Sequence, residues 1–63
     1  MAWYRLYFLD SGGRITAAEN LEADTDGGAI DKARRVFAGT DFFGFELWQG
    51  SRLLHKESRA AAN

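Results

Sequence analysis

At 63 residues and 7.0 kDa the chain holds one domain, of a size at which apolar burial and ordering entropy nearly cancel. With no cysteine and a single histidine, it has neither a disulfide framework nor a Cys- or His-based metal cluster to reinforce it, and a reducing compartment, the cytoplasm, fits best. A net charge of −1 excludes a global basic field for nucleic acid, and 46% apolar with 14% aromatic residues argues against intrinsic disorder. A dense core or self-association must therefore carry the stability.

The segment from Trp3 to Leu9 is aromatic or aliphatic at almost every position and stops at Asp10-Ser11-Gly12-Gly13. It reads as a strand entering a turn, with Gly12-Gly13 as the hairpin chemistry. Met1 to Asp10 carries Arg5 and Asp10 without a long apolar run, so neither a signal peptide nor a membrane span is expected. Arg14 to Glu22 resumes with weak alternation and reads as a second strand paired back on the first.

Ala29, Ile30, Ala33, Val36 and Phe37 recur at spacings of three and four, which predicts a helix over 26–38. Asp24 or Thr25 is placed to cap it, Asp26 suits the positive end of the helix dipole, and Lys32, Arg34 and Arg35 lie toward the negative end. Asp31 is set to pair with Arg35 four residues on, and Gly39 reads as a left-handed stop. Gly27 and Gly28 are the weak point of the first turn.

Phe42 to Trp48 reads as the third strand, Gln49-Gly50 as a turn, and Arg52 to Lys56 as the fourth strand. The register of this last hairpin is open, since a loop of two, three or four residues exchanges the faces of Leu53 and Leu54. Residues 58–63 offer little to bury and read as a frayed tail behind a single domain over 1–57.

The order ββαββ defines an α+β fold of two layers, a four-stranded antiparallel sheet with one helix on one face. The first and third strands are apolar on both faces, as interior strands are, which favours the order 2-1-3-4. The alternative is the β-grasp order 2-1-4-3.

One short helix covers one face only. Period-two alternation sets Tyr4, Leu6 and Phe8 on one side of the first strand and Trp3, Arg5, Tyr7 and Leu9 on the other. On the third strand it sets Phe43, Phe45 and Leu47 against Phe42, Glu46 and Trp48. The uncharged sets suit the helix. Trp3, Arg5, Tyr7, Leu9, Trp48 and Arg52 are then the candidate partner-binding residues on an open face, with Trp, Tyr and Arg the types enriched at interface hot spots. The competing reading is that the tail or the loop before the helix folds over this face.

No arrangement of residues specifies catalysis. Glu22, Asp24 and Asp26 resemble the start of a calcium loop, but loop position twelve falls on Arg35 and position five on Gly28. Neither glycine pair makes a phosphate loop. His55 with Ser11, Ser51 and Ser58 lacks the volume of a pocket, and Glu46 and Glu57 sit on solvated positions. The expectation is therefore no enzyme, no cofactor, no metal and no small-molecule substrate.

The segments Tyr4-Arg5-Leu6-Tyr7-Phe8-Leu9-Asp10, Gly13-Arg14-Ile15 and Glu46-Leu47-Trp48-Gln49-Gly50-Ser51-Arg52-Leu53 together resemble a group of very short alphaproteobacterial proteins of unknown function, over most of residues 4–54. The resemblance implies a bacterial cytoplasmic protein and no activity. Asp41 to Gly44 departs from the group's pattern by adding apolar bulk.

The function expected is a non-enzymatic protein–protein interaction module, self-associating as a homodimer through the aromatic face or an edge strand. One alternative is a single-stranded nucleic-acid binder using the same aromatic and Arg face. It draws on a basic C-terminal half, six basic against three acidic residues over 32–63, but lacks an RNA-recognition motif. The other is an adaptor or inhibitor of a larger bacterial or phage-encoded protein.

Overall fold

The computed structural model describes residues 1–59. Five elements follow in chain order: β1 (Ala2–Leu9), β2 (Ile15–Ala23), α1 (Asp26–Ala38), β3 (Gly44–Gln49) and β4 (Arg52–Ser58). The strands form one antiparallel sheet in the order β2-β1-β3-β4. This is the α+β, ββαββ arrangement with the strand order favoured from the sequence, and it sets the doubly apolar β1 and β3 at the centre.

The Asp10 side chain organises the first hairpin by accepting from the backbone N–H groups of Gly12 and Arg14, both at 2.9 Å. Those bonds, that of Arg14 foremost, hold its carboxyl below the usual carboxylate range. The second hairpin closes on two residues: Gln49 pairs with Arg52, and Gly50 takes a positive φ of 59°, as glycine-first two-residue turns do. That settles the register left open by the sequence.

Thr25 caps the helix, its hydroxyl accepting from Gly28 N at 2.9 Å. The other end differs from expectation. Gly39 lies at φ −87°, outside the left-handed region, and the helix tightens there through Gly39 N and Thr40 N bonding Val36 O and Phe37 O. Asp31 forms no ion pair with Arg35. Arg34 instead reaches Glu57 on β4 at 3.0 Å.

The core lies between α1 and the sheet. Leu6, Phe8, Phe45 and Leu47 are fully buried against Ala29, Ala33 and Phe37, each of the four large side chains contributing about 1.5–3 kcal/mol of burial. Small alanines let the helix approach closely. Phe42, assigned by alternation to the open side, stacks on Phe8 with ring centroids 4.7 Å apart and packs against this core. The reason is that β3 begins at Gly44, so alternation does not extend back through Phe43 and Phe42.

The tail also needs correction at its start. Ser58 belongs to β4, and Arg59 is tied back to the helix end and the segment that follows it. Its backbone N–H donates to Phe43 O at 2.8 Å, and its guanidinium donates to Phe42 O at 2.7 Å and to the carbonyls of Thr40 and Phe37. The same group lies 4.6 Å from the Phe37 ring centroid. A cation thus satisfies carbonyls at the negative end of the helix from outside it. Residues 60–63 of the expected tail lie outside the described residues.

Gly44 is buried where β3 and β4 approach, and a Cβ there would meet Glu57 O at 2.8 Å. Gly27, in the helix, has nothing within 4 Å of its added Cβ. Chemical denaturation should therefore show Gly44→Ala destabilising by about 1–3 kcal/mol and Gly27→Ala stabilising by about 0.4–1 kcal/mol.

Candidate functional site

Directly opposed residues on antiparallel strands share a face, so the pairing registers define the side of the sheet that α1 leaves uncovered. Arg5 lies between Asn20 and Trp48, with Leu53 beyond Trp48. Tyr7 lies between Ala18 and Glu46, with Lys56 beyond Glu46. Trp3 opposes Glu22, and Leu9 lies between Ile15 and Gly44. The face therefore carries two indoles, a phenol and the aliphatic side chains of Leu9, Ile15 and Leu53 beside Ala18, with Arg5 and Lys56 balanced by Glu22 and Glu46.

Polar contacts hold its central side chains. Arg5 donates to Asn20 Oδ1 at 2.7 Å and lies 5.8 Å from the Tyr7 ring centroid. The Trp48 indole N–H donates to Glu46 Oε1 at 3.0 Å, and Lys56 Nζ sits 3.6 Å from Glu46 Oε2. Such fixed rings lose little rotamer freedom when covered. Trp3 is 63% exposed, Ile15 57% and Leu53 45%.

Four of the six residues singled out from the sequence, Trp3, Arg5, Tyr7 and Trp48, are brought together here. Two are not available. Leu9 is on this side but only 4% exposed, flanked by Ile15 and Gly44 and tied through its carbonyl to Phe43 N at 3.0 Å. Arg52 pairs with Gln49, which alternates onto the helix side of β3, and its guanidinium contacts Asp26 at 3.3 Å. Ile15 and Leu53 take their place. Leu53 reaches the open face because the two-residue turn sets it opposite Trp48, while Leu54, the extra residue of a bulge between the Trp48–Leu53 and Leu47–His55 pairs, packs against the core. Counting Gly50-Ser51 as a two-residue loop would have placed Leu53 beside Trp48; no local pattern signals the bulge.

Neither the loop before the helix nor Arg59 covers this face. The loop turns to the other side, where Tyr4 donates its hydroxyl to Asp26 Oδ1 at 2.8 Å and Lys32 reaches Glu22 O at 2.8 Å. Arg59 is held at the helix C-terminus.

The titratable groups are joined in structural pairs. His55 Nε2 lies 3.0 Å from Glu57 Oε1, the oxygen that Arg34 also contacts, and its ring packs beside Phe45. No serine hydroxyl bonds His55 among the described residues. Glu46 and Glu57 occupy opposite faces, since they pair with Tyr7 and Phe45 respectively. Among the described residues no three His, Asp or Glu side chains gather to hold a metal, and no helix is long and apolar enough to cross a membrane. A depression of about 440 Å³ beside Asp10, Thr16 and Arg59 is shallow and open to solvent.

No family model, curated protein or solved structure matches the chain.

The Tyr4 bond draws Asp26 below the ordinary carboxylate range, with Arg52 adding to it, and the same bond and the burial of the ring raise the Tyr4 phenol above 10.0. A lowered native carboxyl means that the unfolded chain takes up the proton first. This stabilisation is complete above the ordinary Asp value of 3.8 and is lost as pH falls through the lower native value. The raised phenol works the other way, stabilising fully below pH 10.0 and losing that effect as pH rises through the native value. Melting temperatures taken across the pH range should fall at both ends. Asp26→Asn should flatten the acid limb and Tyr4→Phe the alkaline one.

Proposed function

We propose that the protein is a non-enzymatic protein–protein interaction module whose docking surface is the uncovered sheet face around Trp3, Tyr7, Trp48 and Leu53. The observation that carries this is Trp3, an indole 63% exposed on a strand whose opposite face is core. Contiguous apolar surface beyond a few hundred Å² on a small soluble domain marks an interaction site. Trp, Tyr and Arg concentrate binding energy because they are large, stiff and amphipathic. The work of such a surface is desolvation. His55 is committed to Glu57, and no nucleophile is paired with a base among the described residues, which supports a role without catalysis. We place the protein in the bacterial cytoplasm, in keeping with its lack of cysteine.

Charge argues against nucleic acid as the partner. Phosphate contacts dominate such affinity, yet Glu46 lies beside Trp48, where a stacked base would bring its backbone, and Lys56 is paired with that carboxylate. A titration of intrinsic tryptophan fluorescence with single-stranded oligonucleotides should be flat. A tagged chain should co-purify from bacterial lysate with protein, whether further copies of itself or another chain. Trp3→Glu combined with Leu53→Glu should abolish that association and leave the circular dichroism spectrum unchanged. Unaltered association in the double variant would place docking elsewhere.

A further inference from the structure

We propose that the occupant of the open face is a second copy of this chain, the two sheets stacking face to face about a two-fold axis that runs parallel to the strands between β1 and β3. This rests on the reading of that face as a docking surface and adds the identity and orientation of what docks there.

The argument is complementarity. A two-fold along the strands keeps each residue at its level and carries β1 of one copy over β3 of the other. At the level of the Arg5–Trp48 pair, each Arg5 guanidinium then faces the other copy's Trp48 indole. At the level of the Tyr7–Glu46 pair, each Tyr7 hydroxyl faces a Glu46 carboxylate. The first is a cation over the best of the π faces, and the second joins a donor to a charged acceptor. The Tyr7 hydroxyl has no hydrogen-bond partner among the described residues. Continuing the register outward, Trp3 stands level with Gly50 and would lie over the partner's turn. Large exposed side chains on β1 are thus matched by a glycine or by planar groups on β3, as interdigitating sheets require.

A transverse two-fold exchanges the two central levels instead. It would lay Glu46 carboxylates against Trp48 indole faces, anion on the negative face of the ring. Edge-to-edge pairing meets different obstacles. β2 presents Glu19 and Glu22, while β4 carries a bulge and Lys56, the features by which edges resist pairing.

Size agrees as well. Within extents of 39 × 19 × 15 Å the broad side offers on the order of 700 Å², near the ~800 Å² per partner of a standard stable interface. The four charges across it cancel, so two like faces meet without net repulsion.

The test uses the full chain, into which single cysteines can be introduced because it has none of its own. Static light scattering at micromolar concentration should report twice 7.0 kDa, and Trp3→Glu should weaken the dimer by about thirtyfold or more, as at an interface hot spot. Ala18→Cys and Lys56→Cys are rim positions on opposite edges of one level, and the axis sets each over the other across sheets about 10 Å apart. A short bismaleimide should join the two variants when mixed and leave each alone unlinked. Efficient linking of Ala18→Cys to itself would overturn the axis in favour of a transverse or edge-paired dimer. A mass of 7.0 kDa at every concentration would overturn the dimer altogether. The docking reading would then stand or fall on whether the Trp3→Glu, Leu53→Glu chain still captures protein.

Discussion

The fold depends on a mismatch of coverage. Thirteen residues of helix span about 20 Å at 1.5 Å per residue, enough to lie along one side of a four-stranded sheet, yet β1 and β3 carry apolar side chains on both of theirs. Every buried residue of the core cluster lies on the helix side or in the helix itself. The other side keeps its rings in water. Burial of Leu6, Phe8, Phe45 and Leu47 provides most of what holds so small a domain together, and the surface left over becomes its principal chemical asset.

Two polar clasps keep the helix where that burial requires it. At its start, Asp26 accepts from Tyr4 on β1 and from Arg52 on β4, so one carboxylate joins three elements. At its end, Arg59 bonds the carbonyls of Thr40, Phe42 and Phe37 and lies over the Phe37 ring. Both clasps consume cations that sequence reading leaves free, Arg52 for a partner and Arg59 for a loose tail. Once they are committed, the charges remaining on the open face are few and balanced, the ground on which we propose a protein partner for it.

The element order, the helix bounds and the inward set of β1 were legible because they follow from local regularities. Apolar spacing of three and four marks a helix, and period two fixes which of Tyr4, Leu6 and Phe8 share a side. Trp3, Arg5, Tyr7 and Trp48 could be placed on the open face for the same reason. The errors cluster where alternation is interrupted. Phe42 precedes the strand and swings onto Phe8, and Arg52 follows a two-residue turn that sets it on the helix side; the faces of Leu53 and Leu54, left open by the sequence, are set by that turn and by the bulge that follows Leu53. Leu9 alternates as expected but is enclosed by the Phe43 backbone, a contact between segments 34 residues apart in number.

By itself, then, the order of residues determined the α+β class and the existence of one aromatic face without a helix, and favoured the central position of β1 and β3 that the structure shows. All of these are consequences of side-chain period and hydrophobicity, which act along a few neighbouring residues. The tertiary structure decided which cations remain free, where the last hairpin bulges and which aliphatic side chains complete the face. Those outcomes turn on hydrogen bonds and close packing between residues distant in sequence, formed only when the strands have met.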